Sequence, residues 1–192
     1  MRNLMKYYEI AVNKCLDQNI PIVEPQEVKV NNRYKQRWGC CKGKMSNGKW
    51  IPRVIDINPI LLDERNSEVG LIETLIHELI HTAPGCQNHG AKWKAYVAKI
   101  NKAYGYTIET RNSDDDKGIS NECKAERQAA REAKRKYELT CTKCGAVIKY
   151  ARPCKTWMYY KFYRCGACHG ELKQTGEYRT LKPFGEWGKK GA

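Results

Sequence analysis

Apolar and aromatic positions Leu4, Tyr7, Tyr8, Ala11, Val12 and Cys15 recur three or four residues apart, which predicts an amphipathic N-terminal helix. After the proline-punctuated "NIPIVEP", the alternation in "EVKVNN" predicts a short strand and "KWIPRVIDINP" a second extended run. The stretch between them, "GCCKGKMSNGK", reads as turn. Helical periodicity returns at about Glu68–Thr82, with Ser67 as N-cap and Pro84-Gly85 as terminator. Another helix follows Gly90, with Trp93, Tyr96, Val97, Ile100 and Tyr104 on one face, and stops at Gly105. The texture then turns polar. "RNSDDDKGISNE" reads as a linker and "CKAERQAAREAKRKYE" as an exposed basic helix, because it has good helix formers and almost no apolar face. The expected organisation is an α+β domain over 1–108, a polar and basic connection over 109–136, a cysteine-bearing module over 137–175 and a tail over 176–192.

Charge sharpens this division. The net charge is +14 over 192 residues. Residues 1–110 hold 16 Lys and Arg against 11 Asp and Glu, whereas residues 111–192 hold 19 against 10. A polyanion is the partner to expect for the C-terminal part. No apolar run approaches the roughly 18 residues that span a membrane. The first residues lack the pattern of a secretory leader, so the ten cysteines point to metal binding in a reducing, cytoplasmic compartment.

Three of the four histidines lie in "ETLIHELIHTAPGCQNHG". On a helix, Leu71, Ile72, Leu75, Ile76, Leu79 and Ile80 fill one half, and His77 and His81 share the other, one turn apart. Two imidazoles at i and i+4 can hold one metal, with the intervening Glu78 as general base. A catalytic zinc takes three protein ligands and leaves a fourth position for water. His89, followed by Gly90, is the expected third ligand. A longer His-Glu-x-x-His-x-x-Gly-x-x-His arrangement would need glycine and histidine where Pro84 and Gln87 stand. A glutamate ligand on the next helix has no candidate in 91–108. The Cys86 thiolate would blunt the Lewis acidity of the metal.

Cys141-x-x-Cys144 and Cys165-x-x-Cys168, twenty residues apart, predict a closed structural zinc site of four thiolates, in a ribbon whose spacer holds two extended runs around Pro153. Cys154 and His169 are expected to be bystanders. One catalytic and one structural Zn2+ are therefore anticipated. Nucleic-acid contacts are expected from Arg131, Lys134, Arg135 and Lys136, and from the cation–aromatic interleaving of Lys155, Trp157, Lys161 and Arg164.

"HELIH", the short excursion to "HG", the aromatic in "HGAKW" and the trailing "IN" resemble the SprT-like metalloproteases, the group that includes Spartan. "CTKCG…YRCGACHGEL" resembles the zinc-ribbon end of that family. The excursion between His81 and His89 is shorter than in Spartan-type members, and chain length leads us to expect the compact bacterial or phage-like form. The resemblance implies a zincin-like fold, zinc-dependent peptide hydrolysis, and substrates that are proteins bound or crosslinked to DNA. Single- and double-stranded DNA are equally compatible with it, and a nucleoid-associated location would follow. The strand in "WIPRVIDIN" is expected to offer substrate an edge. A rival reading is a non-catalytic DNA-binding protein with two structural zinc ions. Another is a metal-dependent hydrolase of a non-protein substrate.

Overall fold

A computed structural model describes residues 1–178. The expected C-terminal tail lies, from residue 179 onward, outside the described residues. The architecture is mixed α+β, and the chain divides into two compact units at Lys124/Ala125. No helix among the described residues is long and apolar enough to cross a membrane.

The first unit opens with α1 (Leu4–Asp17), whose N-cap Asn3 accepts hydrogen bonds from the Met5 and Lys6 amides. Its Tyr8, Ala11 and Cys15 are buried, and it packs on α2 (Glu68–Ile80). Strands β1 (Glu27–Val30), β2 (Gly39–Ser46) and β3 (Lys49–Ile57) form a sheet in the order β1-β3-β2. β3 pairs parallel with β1 and antiparallel with β2. Helix α2, capped by Ser67, buries residues all round, and α3 (Ala91–Tyr104) ends at Gly105, whose φ of 69° closes the helix in the left-handed region. Ile55, Ile57, Leu61, Leu71, Leu75, Ile76, Leu79 and Ile100 form the solvent-free centre.

Several expectations need correction here. Most of the "GCCKGKMSNGK" stretch, Gly39–Ser46, is strand β2, and the turn is confined to Asn47-Gly48. Its polar, glycine-rich sequence hides the strand, yet Asn47-Gly48, with φ of 49° and 71°, supply the left-handed pair that a tight hairpin requires. A bulge at Lys42/Gly43 accommodates Gly43, where a Cβ would lie 2.4 Å from the Ile51 carbonyl oxygen. Consequently β3, through Val54–Ile57, is central and offers no edge there. The edge beside the histidine helix belongs to β2.

The second correction concerns the expected linker from residue 109. Residues up to 124 belong to the first unit, and Ile108, Lys117, Ile119 and Cys123 are buried in it. The Lys117 ammonium meets the Glu73 carboxylate on α2 at 3.3 Å, with both side chains 2% exposed. Gly70 permits this close approach, since a Cβ there would lie 2.2 Å from the Lys117 carbonyl oxygen.

The third concerns the basic helix. α4 covers Asn121–Glu132, so Arg131 is helical, whereas Lys134, Arg135 and Lys136 follow the helix end.

The second unit has a three-stranded antiparallel sheet, β5 (Val147–Tyr150), β4 (Tyr137–Cys141) and β6 (Leu172–Thr175), in that order. The second extended run expected in the spacer is instead a short helix α5 (Lys155–Met158) and a 3-10 turn at Tyr160–Phe162. The short helix carries Trp157 into the small core with Leu139 and Leu172. Trp157 is 1% exposed and meets Tyr137 edge-on at 4.9 Å, so its assignment as a stacking platform for bases is corrected. The apolar demand of a core this small outweighs the cationic neighbourhood. Phe162 and Tyr163 are the exposed aromatics of this stretch.

The buried ion pair yields a first expectation. Lys117→Met leaves the Glu73 carboxylate buried without its countercharge, which should cost about 3–5 kcal/mol. Adding Glu73→Gln, which keeps an acceptor for the Thr107 amide, should recover much of that loss. Denaturant unfolding with hydrogen exchange at α2 measures both, and equal stability of all three proteins would contradict it.

Candidate metal centre

Helix α2 sets His77 and His81 one turn apart, and the break after it returns the chain with His89. The Thr82 and Ala83 amides close the helix by donating hydrogen bonds to the Leu79 and Ile80 carbonyls, and the Cys86 amide donates back to the Ala83 carbonyl. Gly90 stands at the loop's end, where its amide donates to the Asn88 carboxamide oxygen at 3.0 Å.

The three imidazoles converge. His89 Nε2 lies 3.0 Å from His77 Nε2 and 3.1 Å from His81 Nε2. Their orientation is fixed by the opposite nitrogens. His81 Nδ1 donates to the Cys86 carbonyl at 2.7 Å. His77 donates to the Glu109 carbonyl, and because its Nε2 faces His89, the donor is Nδ1. Both rings therefore present an Nε2 lone pair to the same point. Trp93 of α3, 1% exposed, lies against all three rings at centroid distances of 4.5–5.6 Å. Burial pushes His77 down to about 3, helped by repulsion from the other two histidines, and lowers His81 and His89 also. Neutral imidazoles at near-contact are what a cation needs. A tetrahedral zinc with bonds of about 2.05 Å holds its nitrogens about 3.3 Å apart, close to the spacing found.

Glu78 is 6% exposed and points between α2 and β2. Burial raises its carboxyl from its ordinary 4.5 to about 7, against the opposing pull of the Cys41 amide and of Arg37 and Lys117. That amide donates to Oε2 at 2.7 Å. Gly39 leaves room for the other oxygen, since a Cβ there would lie 2.8 Å from Oε1. A cleft of about 890 Å³ opens over these groups, lined by Gln36–Cys41 and Thr110–Asn112 among others.

The segment after α3, expected to be a loop leading out of the domain, completes the site. Asn101 binds both the amide and the carbonyl of Ile108. The Thr107 amide donates to Glu73 at 2.8 Å, Glu109 receives His77, and the Asn112 carbonyl receives Trp38 Nε1 at 3.0 Å. Sequence reasoning missed Gly39, Cys41, Glu73 and Lys117 along with this strap. Asn101 and Glu73, polar residues in otherwise apolar-patterned helices, were the available signal.

In the second unit Cys141, Cys144, Cys165 and Cys168 gather with all four sulfurs within 4.8 Å. Cys141 Sγ lies 3.5 Å from Cys168 Sγ, and Cys144 Sγ 3.7 Å from Cys165 Sγ. A zinc with bonds of about 2.3 Å separates its sulfurs by about 3.8 Å. The Cys144 amide lowers Cys141 to about 6, and the Ala167 amide lowers Cys165. Despite the Gly170 amide, the neighbouring thiols push Cys168 up to about 12, so four ionised sulfurs need a cation among them. Gly170 is obligatory, since a Cβ would lie 2.8 Å from Cys141 Sγ. Neither Cys154 nor His169 joins the cluster. The histidine cluster and the cysteine cluster thus suit zinc by donor type and spacing.

The state of Glu78 predicts a pH dependence for the metal-free protein. Its folded value, about 7, exceeds its ordinary 4.5, so the folded state binds more protons and stability falls as pH rises between those values. Glu78→Gln removes this loss. The variant should match the parent below about pH 4.5 and exceed it by roughly 3 kcal/mol above pH 7. Thermal unfolding of chelator-treated protein across pH 4–8 checks this, and a pH-independent difference would contradict it.

Comparison with known proteins identifies a family. The model of the SprT-like family covers residues 4–113, from the first helix through the three histidines to the strap that receives His77 and Trp38. No curated protein and no solved structure matches the chain. With more than half of its length matched, this chain belongs to the SprT-like family.

Proposed function

We propose that the first unit is a zincin-like, zinc-dependent endopeptidase domain. The observation that carries this reading is the meeting of His77 and His81 at the end of α2 with His89 of the following loop, whose Nε2 lies about 3 Å from theirs, beside the buried carboxylate of Glu78 and under one cleft. His77, His81 and His89 would hold the ion and Glu78 would be the base. Zinc bound there supplies Lewis acidity, which polarises the scissile carbonyl and lowers the pKa of a water to about 7.

The remaining steps belong to the chain. Substrate backbone lies extended against β2, whose Gly39–Cys41 segment walls the cleft. The Cys41 amide holds Oε2, which leaves Oε1, beside Gly39, to take the proton of the attacking water. Glu78 accepts that water's proton and delivers it to the departing amine. A carboxyl raised to about 7 is matched to both transfers. In a purely structural zinc site this buried acid would cost stability and do nothing in return.

The finer reading is that substrates are DNA-associated or DNA-crosslinked proteins, with nucleic acid held by the basic C-terminal part and the second zinc keeping that part folded. Its support is chemical: Arg131, Lys134, Arg135, Lys136, Lys155, Lys161 and Arg164 are all exposed, as are Phe162 and Tyr163. Some of the cations already face carboxylates, Arg135 with Glu132, Lys136 with Glu177 and Arg164 with Glu171.

Two expectations follow from these roles. Glu78→Gln should retain two zinc ions per chain and lose casein digestion, whereas His89→Ala should lower the zinc content towards one. Elemental analysis beside a digestion assay decides, and full activity of Glu78→Gln would end the mechanism. For nucleic acid, replacing Arg131, Lys134, Arg135 and Lys136 by alanine should flatten the slope of log affinity against log salt by about 3. Phe162→Ala should instead cost about 1–3 kcal/mol in single-strand affinity, with the slope unchanged. Anisotropy with labelled oligonucleotides measures both, and no binding by the parent at low salt would remove DNA from the reading.

A further inference from the structure

The cleft carries a charge pattern that peptide hydrolysis alone does not require. Glu78 is the sole acid among its lining residues, while Arg37, Arg111 and Lys117 are basic. Lys117 is engaged by Glu73. Arg37 and Arg111 are exposed, and among the described residues neither makes an ion pair.

They belong to two adjoining segments of the lining. Arg37 lies two residues before β2, and Arg111 belongs to the strap after α3. Their sequence neighbours are joined by the hydrogen bond from Trp38 Nε1 to the Asn112 carbonyl, so both arginine backbones share one frame. The Arg37 guanidinium donates to Cys40 Sγ at 3.4 Å, and Cys40 itself lines the cleft. Around Arg37 the bias widens: residues 28–55 contain eight Lys and Arg and no Asp or Glu, and of these cations Lys29 and Lys42 pair with the bordering Glu27 and Asp56. Cations that line a cleft raise the local concentration of anions there. A guanidinium offers a planar fork that matches a carboxylate in two parallel bonds. A cleft of about 890 Å³ has the dimensions of a small-ligand site and admits a few extended residues.

We propose that Arg37 and Arg111 make this a site for acidic polypeptide segments, binding Asp or Glu side chains on the residues that flank the scissile bond. This rests on the hydrolytic reading for the identity of that bond, while the charge preference in binding stands without it.

The test uses full-length zinc-loaded protein and quenched-fluorescent peptides that differ solely in flanking Glu, Gln or Lys. At low salt the Glu peptide should exceed the Gln peptide by about tenfold in kcat/KM, with the Lys peptide lowest. Arg37→Glu/Arg111→Glu should invert the ranking. The single variants Arg37→Gln and Arg111→Gln should each reduce the Glu-to-Gln ratio, and circular dichroism verifies their fold. In parallel, anisotropy of labelled peptides on the Glu78→Gln protein should give the same ranking of affinities. Ranked binding without any cleavage by the parent would refute hydrolysis and leave the anionic preference standing. Equal affinities and rates for Glu and Gln peptides, or a ranking indifferent to charge reversal, would overturn the proposal. So would displacement of the Glu peptide by an oligothymidylate in a manner lost with both arginines, which would assign them to nucleic acid.

Discussion

Three imidazole lone pairs must point at one place, and an imidazole left to itself does not choose which nitrogen carries its proton. Much of the first unit follows from that constraint. Carbonyls of Cys86 and Glu109 take the Nδ1 protons of His81 and His77. Neither carbonyl lies in a helix or strand, so each is free to accept. One precedes α3 and the other follows it, which ties the geometry of the centre to both ends of that helix. Trp93, on the same helix, packs against all three rings, and burial disfavours their charged forms.

Glu78 shows the opposing side of the same burial. What keeps the histidines neutral also penalises a carboxylate, and the Cys41 amide offsets part of that penalty by donating to it. For this the backbone of β2 must run close to α2, which a side chain at position 39 would prevent. The edge strand is thus held by the residue whose chemistry it would serve. A helix and a strand brought this near leave little freedom for either to shift independently.

Signals carried by side-chain type and spacing were legible in the sequence. The period of α2 and α3, Ser67 as a cap, Gly105 as a stop, the His77–His81 spacing and the two cysteine pairs each have a local physical cause. The structure brings His77, His81 and His89 together, and likewise the four cysteines. What stayed hidden depends on partners distant in sequence. β2 is polar because it is an edge, so its alternation is weak. The 106–120 segment is polar outside and anchored through backbone groups, which composition does not report. Lys117 looks like any solvated lysine until Glu73, 44 positions away, appears beside it. Trp157 among lysines resembles a nucleic-acid platform, yet a five-residue core needs its bulk more.

The buried lysine also bears on where this domain can be cut. The family match stops at residue 113, and a fragment trimmed there would still contain His77, His81, His89 and Glu78. It would lack Lys117, Ile119 and Cys123, all buried in the intact unit. Glu73 would remain in the interior with its charge unanswered, one helical turn from His77. The natural excision point for an autonomous piece bearing the histidine centre therefore lies beyond Cys123, near the boundary at Lys124, and not where sequence similarity fades.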